Sequence, residues 1–551
     1  MVDVCGMQNG VSSVQLSNPV LRSLLCTRQP RRMLFYVLCL SFVVVLSGCT
    51  VLPEYLRNGF KVGPSYVEPV ASVAEEWLDA ADVRKDGDDL SRWWTVFEIP
   101  DPKNPKTKRS DAVLNEIIEN ASRQNLTLRE AGFRILQARA QLAITVGGLF
   151  PQSQFADGSF SRSANSLDTA GAQFIRQRYF RQWDHGFNLA WEVDFWGRFR
   201  RAVESASAGL DASMHDYDDV LVTLLADVAT AYVQIRVTEE RIEYAKQNIE
   251  IQRETYKVAE SKQKAGTGLE VDTKQAIVLL RQTEATIPQL ESSLRQSMNR
   301  LCTLLGMPPE DLLTKLGRAP IPTAEPKVAV GIPADLLRRR PDIRRAERLA
   351  AAQSAQIGVA KSDFYPHVFL TGSFGFSAEK FKDIFSPTAF NGTVGPSFQW
   401  KALNYGRVLN NVRFQDARFQ ELVTAYQSQV LVAQQEVENG LIAFLKAQER
   451  TKLQADSASK AAEVVKIVDL RYKAVGGDKD PANVTFTRVT QVQQLKVQAD
   501  DLLAQAKGEI ALGLIQVYKA LGGGWQLRDA DVEPRVLPER SPPRPVFGRP
   551  H

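Results

Sequence analysis

Enzyme chemistry needs complementary side chains brought together, and this 551-residue chain shows few spaced to do it. Its four histidines, His185, His215, His367 and His551, have none of the spacings that zinc sites use. His185 and His367 fall in alternating segments where packing, not ligation, is the expected role. No glycine-rich phosphate loop sits between a strand and a helix, and no nucleophile elbow is present. Gly522-Gly523-Gly524 follows a helical stretch and reads as its stop. The arginines between Arg338 and Arg345 are dense enough to suggest an anion site. They surround Pro341-Asp342, where a helix is expected to begin, so pairing with neighbouring acids is the expected use. The sequence therefore predicts no catalytic residue, no metal and no cofactor. One side chain does stand in a context that prescribes chemistry, Cys49.

Arg22, Arg28, Arg31 and Arg32 precede an apolar run from Met33 to Leu46 that is short for a bilayer span and suits the core of a signal peptide. The run ends in Leu46-Ser47-Gly48-Cys49, which resembles the bacterial lipobox. That resemblance implies cleavage after residue 48 and acylation of Cys49, and two or three acyl chains anchor stably where one does not. By the same analogy Thr50, which is not an aspartate, permits sorting to the outer membrane. Cys5, Cys26 and Cys39 leave with residues 1–48; Cys302 remains and is expected to be buried. Beyond the signal no run of 18 apolar residues predicts a transmembrane helix. With 68 basic and 63 acidic residues and no basic patch interleaved with aromatics, the chain is not expected to bind nucleic acid.

The elements that would organise these residues come in duplicate. Residues 126–151 align with 341–366 at one offset, matching Ala131 to Ala346, Ala140 to Ala355, Gln141 to Gln356 and Pro151 to Pro366. Trp191 to Arg198 then aligns with Trp400 to Arg407. A unit this long is no solenoid repeat and predicts a pseudo-symmetric protein. Proline is absent from 152 to 287 and from 397 to 480, and within these gaps 197–265 and 406–475 are rich in helix formers. Each is followed by glycine and a second helix, about 269–305 and 484–521. Long antiparallel hairpins are expected, with coiled-coil-like packing.

Between the helices, four segments of about ten residues alternate apolar with polar: about 152–163, 180–193, 366–377 and 391–401. Aromatic residues gather near their ends. A soluble half-buried sheet would alternate in the same way; the lipid anchor and the aromatic ends favour membrane strands. Four strands cannot close a barrel, and open edges are not tolerated in lipid. Three copies would give twelve. Pro151, Gly197, Pro366 and Gly406 mark the expected strand–helix junctions, and Trp191, Trp400 and Tyr405 read as interfacial aromatics.

With these residues in place the chain resembles the TolC-like outer-membrane efflux proteins, in particular their lipoprotein branch, the OprM-like and NodT-like outer-membrane factors. The marks are Gly63-Pro64-Ser65-Tyr66, Trp93-Trp94 with Phe97, Arg339-Arg340-Pro341-Asp342-Ile343 with Ala346-Glu347, Phe150-Pro151, Tyr365-Pro366, and Tyr518 to Trp525. The resemblance implies a mainly α protein with membrane β, the tandem-duplicated protomer of a homotrimeric twelve-strand barrel in outer-membrane lipid, continued by a long periplasmic α-barrel. It implies a passive gated duct for drugs or small molecules, working with a periplasmic membrane-fusion adaptor and an inner-membrane RND pump. The expected organisation is a signal peptide over 1–48, a lipid-anchored segment over 49–110 in which Pro100–Ser110 reads as an exposed loop, repeats over 111–320 and 321–525, and a Pro-rich tail over 526–551. Two other readings are a channel for type I protein secretion and a non-conducting coiled-coil lipoprotein of the envelope. Family members close the periplasmic mouth with acidic rings, which makes Asp478 and Asp480 gate candidates; they read equally well as solvated turn residues before Pro481. Register on the downstream Leu-Gly pairs makes this second tip loop about seven residues longer than the first.

Overall fold

The helix-forming stretches between prolines fold as single uninterrupted helices. The computed structural model describes residues 51–78, 90–101, 104–168, 170, 172–174, 177–324, 333–335, 339–474 and 485–528. Cys49, Asp478, Asp480 and the Pro-rich tail lie outside them. The chain divides into two units, Met1–Phe60, which contains the short helix Val51–Arg57, and Lys61–His551.

In the second unit the duplication is visible element by element. Helix α1 (Ala112–Gln124) leads into α2 (Leu126–Gly147), β3 (Ser153–Ala164), β4 (Tyr179–Val193), α3 (Arg198–Lys264) and α4 (Glu270–Leu304). The second repeat follows with α5 (Pro341–Ser362), β5 (His367–Ala378), β6 (Phe390–Gln399), α6 (Arg407–Ala474) and α7 (Phe486–Ala520). Helices α2 and α5 have 22 residues each, α3 and α6 have 67 and 68, and α4 and α7 have 35 each. Helix α3 packs on α4, α2, α5 and α7, and α6 packs on α5 and α7. Left-handed glycines end three of them: Gly266 at φ +72°, Gly306 at +69° and Gly522 at +70°. The following amides reach back five residues, Thr267 to Lys262, Met307 to Cys302 and Gly523 to Tyr518, the Schellman arrangement that satisfies the last carbonyls.

The four alternating segments form one antiparallel sheet in the order β3-β4-β5-β6, so the two repeats meet at the β4–β5 ladder. One expectation needs correcting. Pro100–Ser110 reads as an exposed loop, yet Glu98–Asp101 (β1) and Asn104–Ser110 (β2) pair as a hairpin. Three prolines and four basic residues obscure the pattern, and such residues are tolerated because both strands are edges.

The main core lies where α1, α3, α4, α6 and α7 meet the segment before β1. Trp93 stacks on Tyr518 with centroids 5.4 Å apart and meets Trp94 and Phe97 edge-on. Leu225, Tyr232, Ile235, Leu301, Cys302 and Phe444 are almost wholly buried beside them. One window of α3 is apolar enough to pass for a membrane span, but two-thirds of it is buried in this core. A smaller cluster, Ala259, Ala276, Val465, Val468, Tyr472, Phe486 and Val489, joins the two hairpins near their tips.

Candidate functional site: sheet, junctions and helical tips

Register fixes what each face of the sheet presents. Phe160, Trp183, Phe187, Leu189, Phe374, Phe376, Phe390, Val394 and Phe398 share one face. Ser159, Ser161, Gln182, Asp184, Asn188, Ser373, Ser377, Asn391 and Thr393 share the other. Phe381 and Phe385 pack on Trp183, His185 and Phe376 at its far end, but most of the apolar face is left uncovered by the described residues: Phe374, Phe390, Val394 and Phe398 are between 55% and 78% exposed. On the polar face a hydrogen-bonded chain crosses all four strands. Ser159 (3.3 Å), Gln182 (2.8 Å) and Ser377 (2.7 Å) donate to the Asp184 carboxylate, and Asn391 donates to Ser377 at 2.9 Å. Among the described residues, strands β3 and β6 keep one unpaired edge each.

At the junctions Pro151 and Pro366 stand between the leading helices and β3 and β5. Gly197 and Gly406 precede α3 and α6 with φ of +80° and +78°. A Cβ on Gly197 would lie 2.8 Å from the Cα of Lys61, whereas one on Gly406 would meet nothing nearer than 3.6 Å. The tryptophans expected to act as interfacial aromatics also hold the corners. Trp191 donates its indole N–H to the Leu149 carbonyl at 3.2 Å, and Trp400, its counterpart, donates to Phe364 at 3.0 Å. Trp196 links the repeats by donating to the Pro366 carbonyl and stacking on Tyr365. His367 is more than a packing residue: its Nδ1 lies 2.6 Å from Glu192 and its Nε2 3.3 Å from Asp363. The separation of 175 residues from Glu192 leaves no local signal. Just beyond, Arg201 donates to the carbonyls of Val62 and Gly63, and Gly63 crosses so close to Gly358 that a Cβ would sit 2.4 Å from its Cα.

Each repeat is closed by the same clasp, built from different residues. Asn125, before α2, donates to the Leu304 carbonyl at the end of α4, at 2.8 Å. Arg340, before α5, donates to the Ala520 carbonyl at the end of α7, also at 2.8 Å. Arg340 is buried and forms a two-pronged pair with Asp342 at 3.0 and 2.6 Å, with Glu436 at 2.7 Å from the same guanidinium. Burial pushes the Asp342 carboxyl up, but the Arg340 hydrogen bonds and charge, with Gln429, outweigh it and hold the group below the usual carboxylate value. The arginine cluster thus serves pairing and helix closure, as expected. It borders a cavity of about 230 Å³ that Asp219 also lines. Burial, reinforced by the charge of Asp342, pushes Asp219 up to about 6.

Near the tips, polar pairs run along the seam between the hairpins. Arg241 pairs with Asp501 at 2.6 Å, Lys507 with Glu240 at 2.7 Å, Asn248 with Asp500 at 2.9 Å, and Gln493 with Thr255 at 2.7 Å. The last tie is Lys262 of α3. Its ammonium lies 3.9 Å from the Tyr472 ring centroid and donates to the Tyr472 carbonyl at 2.5 Å. Burial lowers the Lys262 pKa against an opposing pull from Asp272, and burial pushes Tyr472 up to about 12. Among the described residues no group of His, Cys, Asp or Glu is placed to hold a metal.

The outer membrane efflux protein family model matches residues 117–307 and 332–523, well over half of the chain and one stretch in each repeat. The chain belongs to the outer membrane efflux protein family. It is 30% identical to the pyoverdine export outer membrane protein OpmQ of Pseudomonas putida, over 90% of this chain and 98% of that protein. It is 28% identical to the toluene efflux pump outer membrane protein TtgI of Pseudomonas putida, over 90% and 99%. Among solved structures it is similar to the outer-membrane channel OprN, with a TM-score of 0.75 and 32% identity over 84% of this chain and 99% of that one. This efflux protein accordingly has the tandem-repeat fold of TolC-like channels, resides in the outer membrane, and is the outer-membrane channel component of an efflux system.

Proposed function

We propose that this efflux protein is one third of a homotrimeric duct that carries small molecules passively across the outer membrane. The observation that carries the reading is the sheet: four strands, a largely uncovered apolar face, a polar face, and, among the described residues, an unpaired edge at β3 and at β6. In lipid such edges must be paired. Joining β3 of one copy to β6 of the next satisfies both edges, and three copies make a twelve-strand barrel. The polar face then lines water and the apolar face meets lipid. Helices α2, α3, α5 and α6 leave the same end of the sheet and continue the tube into the periplasm. There a membrane-fusion adaptor and an inner-membrane RND pump would supply coupling and energy, and acylated Cys49 would add an anchor.

Opening is a separation of the hairpins at the tips, where the small apolar cluster and the Lys262–Tyr472 tie resist it. Asp478 and Asp480, on the second tip, would form threefold rings that attract cations and seal the mouth. The relatives' names cite pyoverdine and toluene, chemically unlike molecules, which suits a duct that leaves selection to the pump. The test is conductance of the purified protein in a planar bilayer, with cysteine pairs placed on β3 and β6. Conductance with disulfide-linked trimers is expected; an impermeable monomer refutes the duct. Unchanged cation selectivity and closure in both Asp478→Ala and Asp480→Ala would remove those residues from the gate.

A further inference from the structure

Two arginines stand where a membrane strand should be apolar or neutral. Arg162 on β3 is paired directly with Arg181 on β4. They follow Phe160 and Trp183 by two residues outward along their strands, so they share the apolar face. Opposed like charges in a ladder are unfavourable unless a counter-charge joins them. Among the described residues neither guanidinium pairs with an acid. The nearest carboxylate along the strand, Asp184, lies on the opposite face and is committed to Ser159, Gln182 and Ser377.

The height of the pair is informative. From Val193 to Trp183 the apolar face spans ten residues of β4, which at ~3.3 Å per residue and a tilt of ~40° is about 25 Å, the height of a barrel's lipid-facing band. The arginines come immediately beyond, at the end remote from the helices. They therefore lie at the headgroup level of the outer leaflet. Below them the Phe160 and Trp183 rings are in contact at 4.4 Å, and Phe381 packs on Trp183 at 5.0 Å, a platform for acyl chains under a charged rim. We propose that Arg162 and Arg181 form a binding site for the phosphate of an anionic outer-leaflet lipid, whose chains lie on the Phe160–Trp183 pair. Guanidinium forks match phosphate oxygens in shape and charge, and the lipid supplies a counter-charge that the described residues do not.

This rests on the reading that the apolar face meets lipid, and the experiment separates the two. The purified full-length protein in detergent is incubated with lipid A carrying both phosphates or with the same lipid dephosphorylated, and retained lipid is counted by native mass spectrometry. Wild-type protein should retain the phosphorylated lipid about tenfold better, equivalent to about 1.4 kcal/mol. Arg162→Gln with Arg181→Gln should fall to the dephosphorylated level. Equal retention of the two lipids by wild type, or an unaltered preference in the double variant, overturns the site. Displacement by inorganic phosphate would make it a soluble-anion site and overturns the lipid assignment. In parallel, lipids with brominated chains should quench tryptophan emission of both proteins in vesicles. Quenching without phosphate preference removes only the arginine site; absence of quenching removes the membrane reading beneath it.

Discussion

Replacing Arg340 with methionine tests the clasp most directly. The guanidinium is buried, holds Asp342 by two hydrogen bonds and caps the Ala520 carbonyl. Methionine fills similar space but leaves the Asp342 carboxylate buried with Gln429 as its remaining side-chain partner. Removing one partner of a buried ion pair costs about 3–5 kcal/mol. Glu436 adds little because its side chain is 48% exposed and stays solvated. Asn125→Ala, at the equivalent place in the first repeat, loses a neutral cap and one hydrogen bond, worth about 1–2 kcal/mol. Two equivalent positions should therefore differ by about 1–4 kcal/mol. Converting the pair to Arg340→Met with Asp342→Leu removes the orphaned charge and should recover most of the loss. The pH dependence follows from sign. Asp342 is held below its usual value, so its contribution is present above the ordinary carboxylate range and is lost as pH falls through the lowered value. In Arg340→Met the carboxyl is no longer held down, so that variant should be weakest near neutral pH and recover in mild acid. Denaturation followed by far-ultraviolet ellipticity at two pH values gives every quantity. Equal losses for Arg340→Met and Asn125→Ala, or no recovery in the double variant, would refute the reasoning.

Three other outcomes are expected. Gly197→Ala should impair folding or membrane assembly severely because its Cβ would strike the Lys61 backbone, while Gly406→Ala bears backbone strain alone, about 1 kcal/mol; yields of heat-resistant oligomer compare them. Asp219, raised from the ordinary 3.8 to about 6, costs stability that builds up as pH climbs from the lower value to the higher, so Asp219→Asn should stabilise by about 1–2 kcal/mol at pH 7.5, by roughly half as much at pH 5, and by little at about pH 3.5, read by paired thermal melts. Lys262→Met should raise the open probability of single channels, because both its contact with the Tyr472 ring and its bond to the Tyr472 carbonyl are lost.

Much of this architecture was legible because it obeys simple periods. The proline-free stretches placed α3 and α6 within a residue or two of their ends, and period-two alternation located all four strands of the sheet. The β1–β2 hairpin was not legible, since its prolines and lysines carry the signature of a loop and the pairing partner is what overrides it. The contact of His367 with Glu192 spans the two repeats and leaves no trace in local pattern. The clasp was half visible: Asn125 and Arg340 share one offset with the rest of the duplication, but asparagine and arginine do not look equivalent until both are seen donating to the carbonyl that ends a helix.

The row of bonds that joins Ser159, Asp184, Ser377 and Asn391 has a consequence for traffic. Donors and acceptors already spent on one another have little left to offer a visitor. A solute drifting past would find a surface that wets readily yet grips weakly, so its residence at any one spot would be brief. Low friction of this kind would let a single conduit pass solutes that share little chemistry.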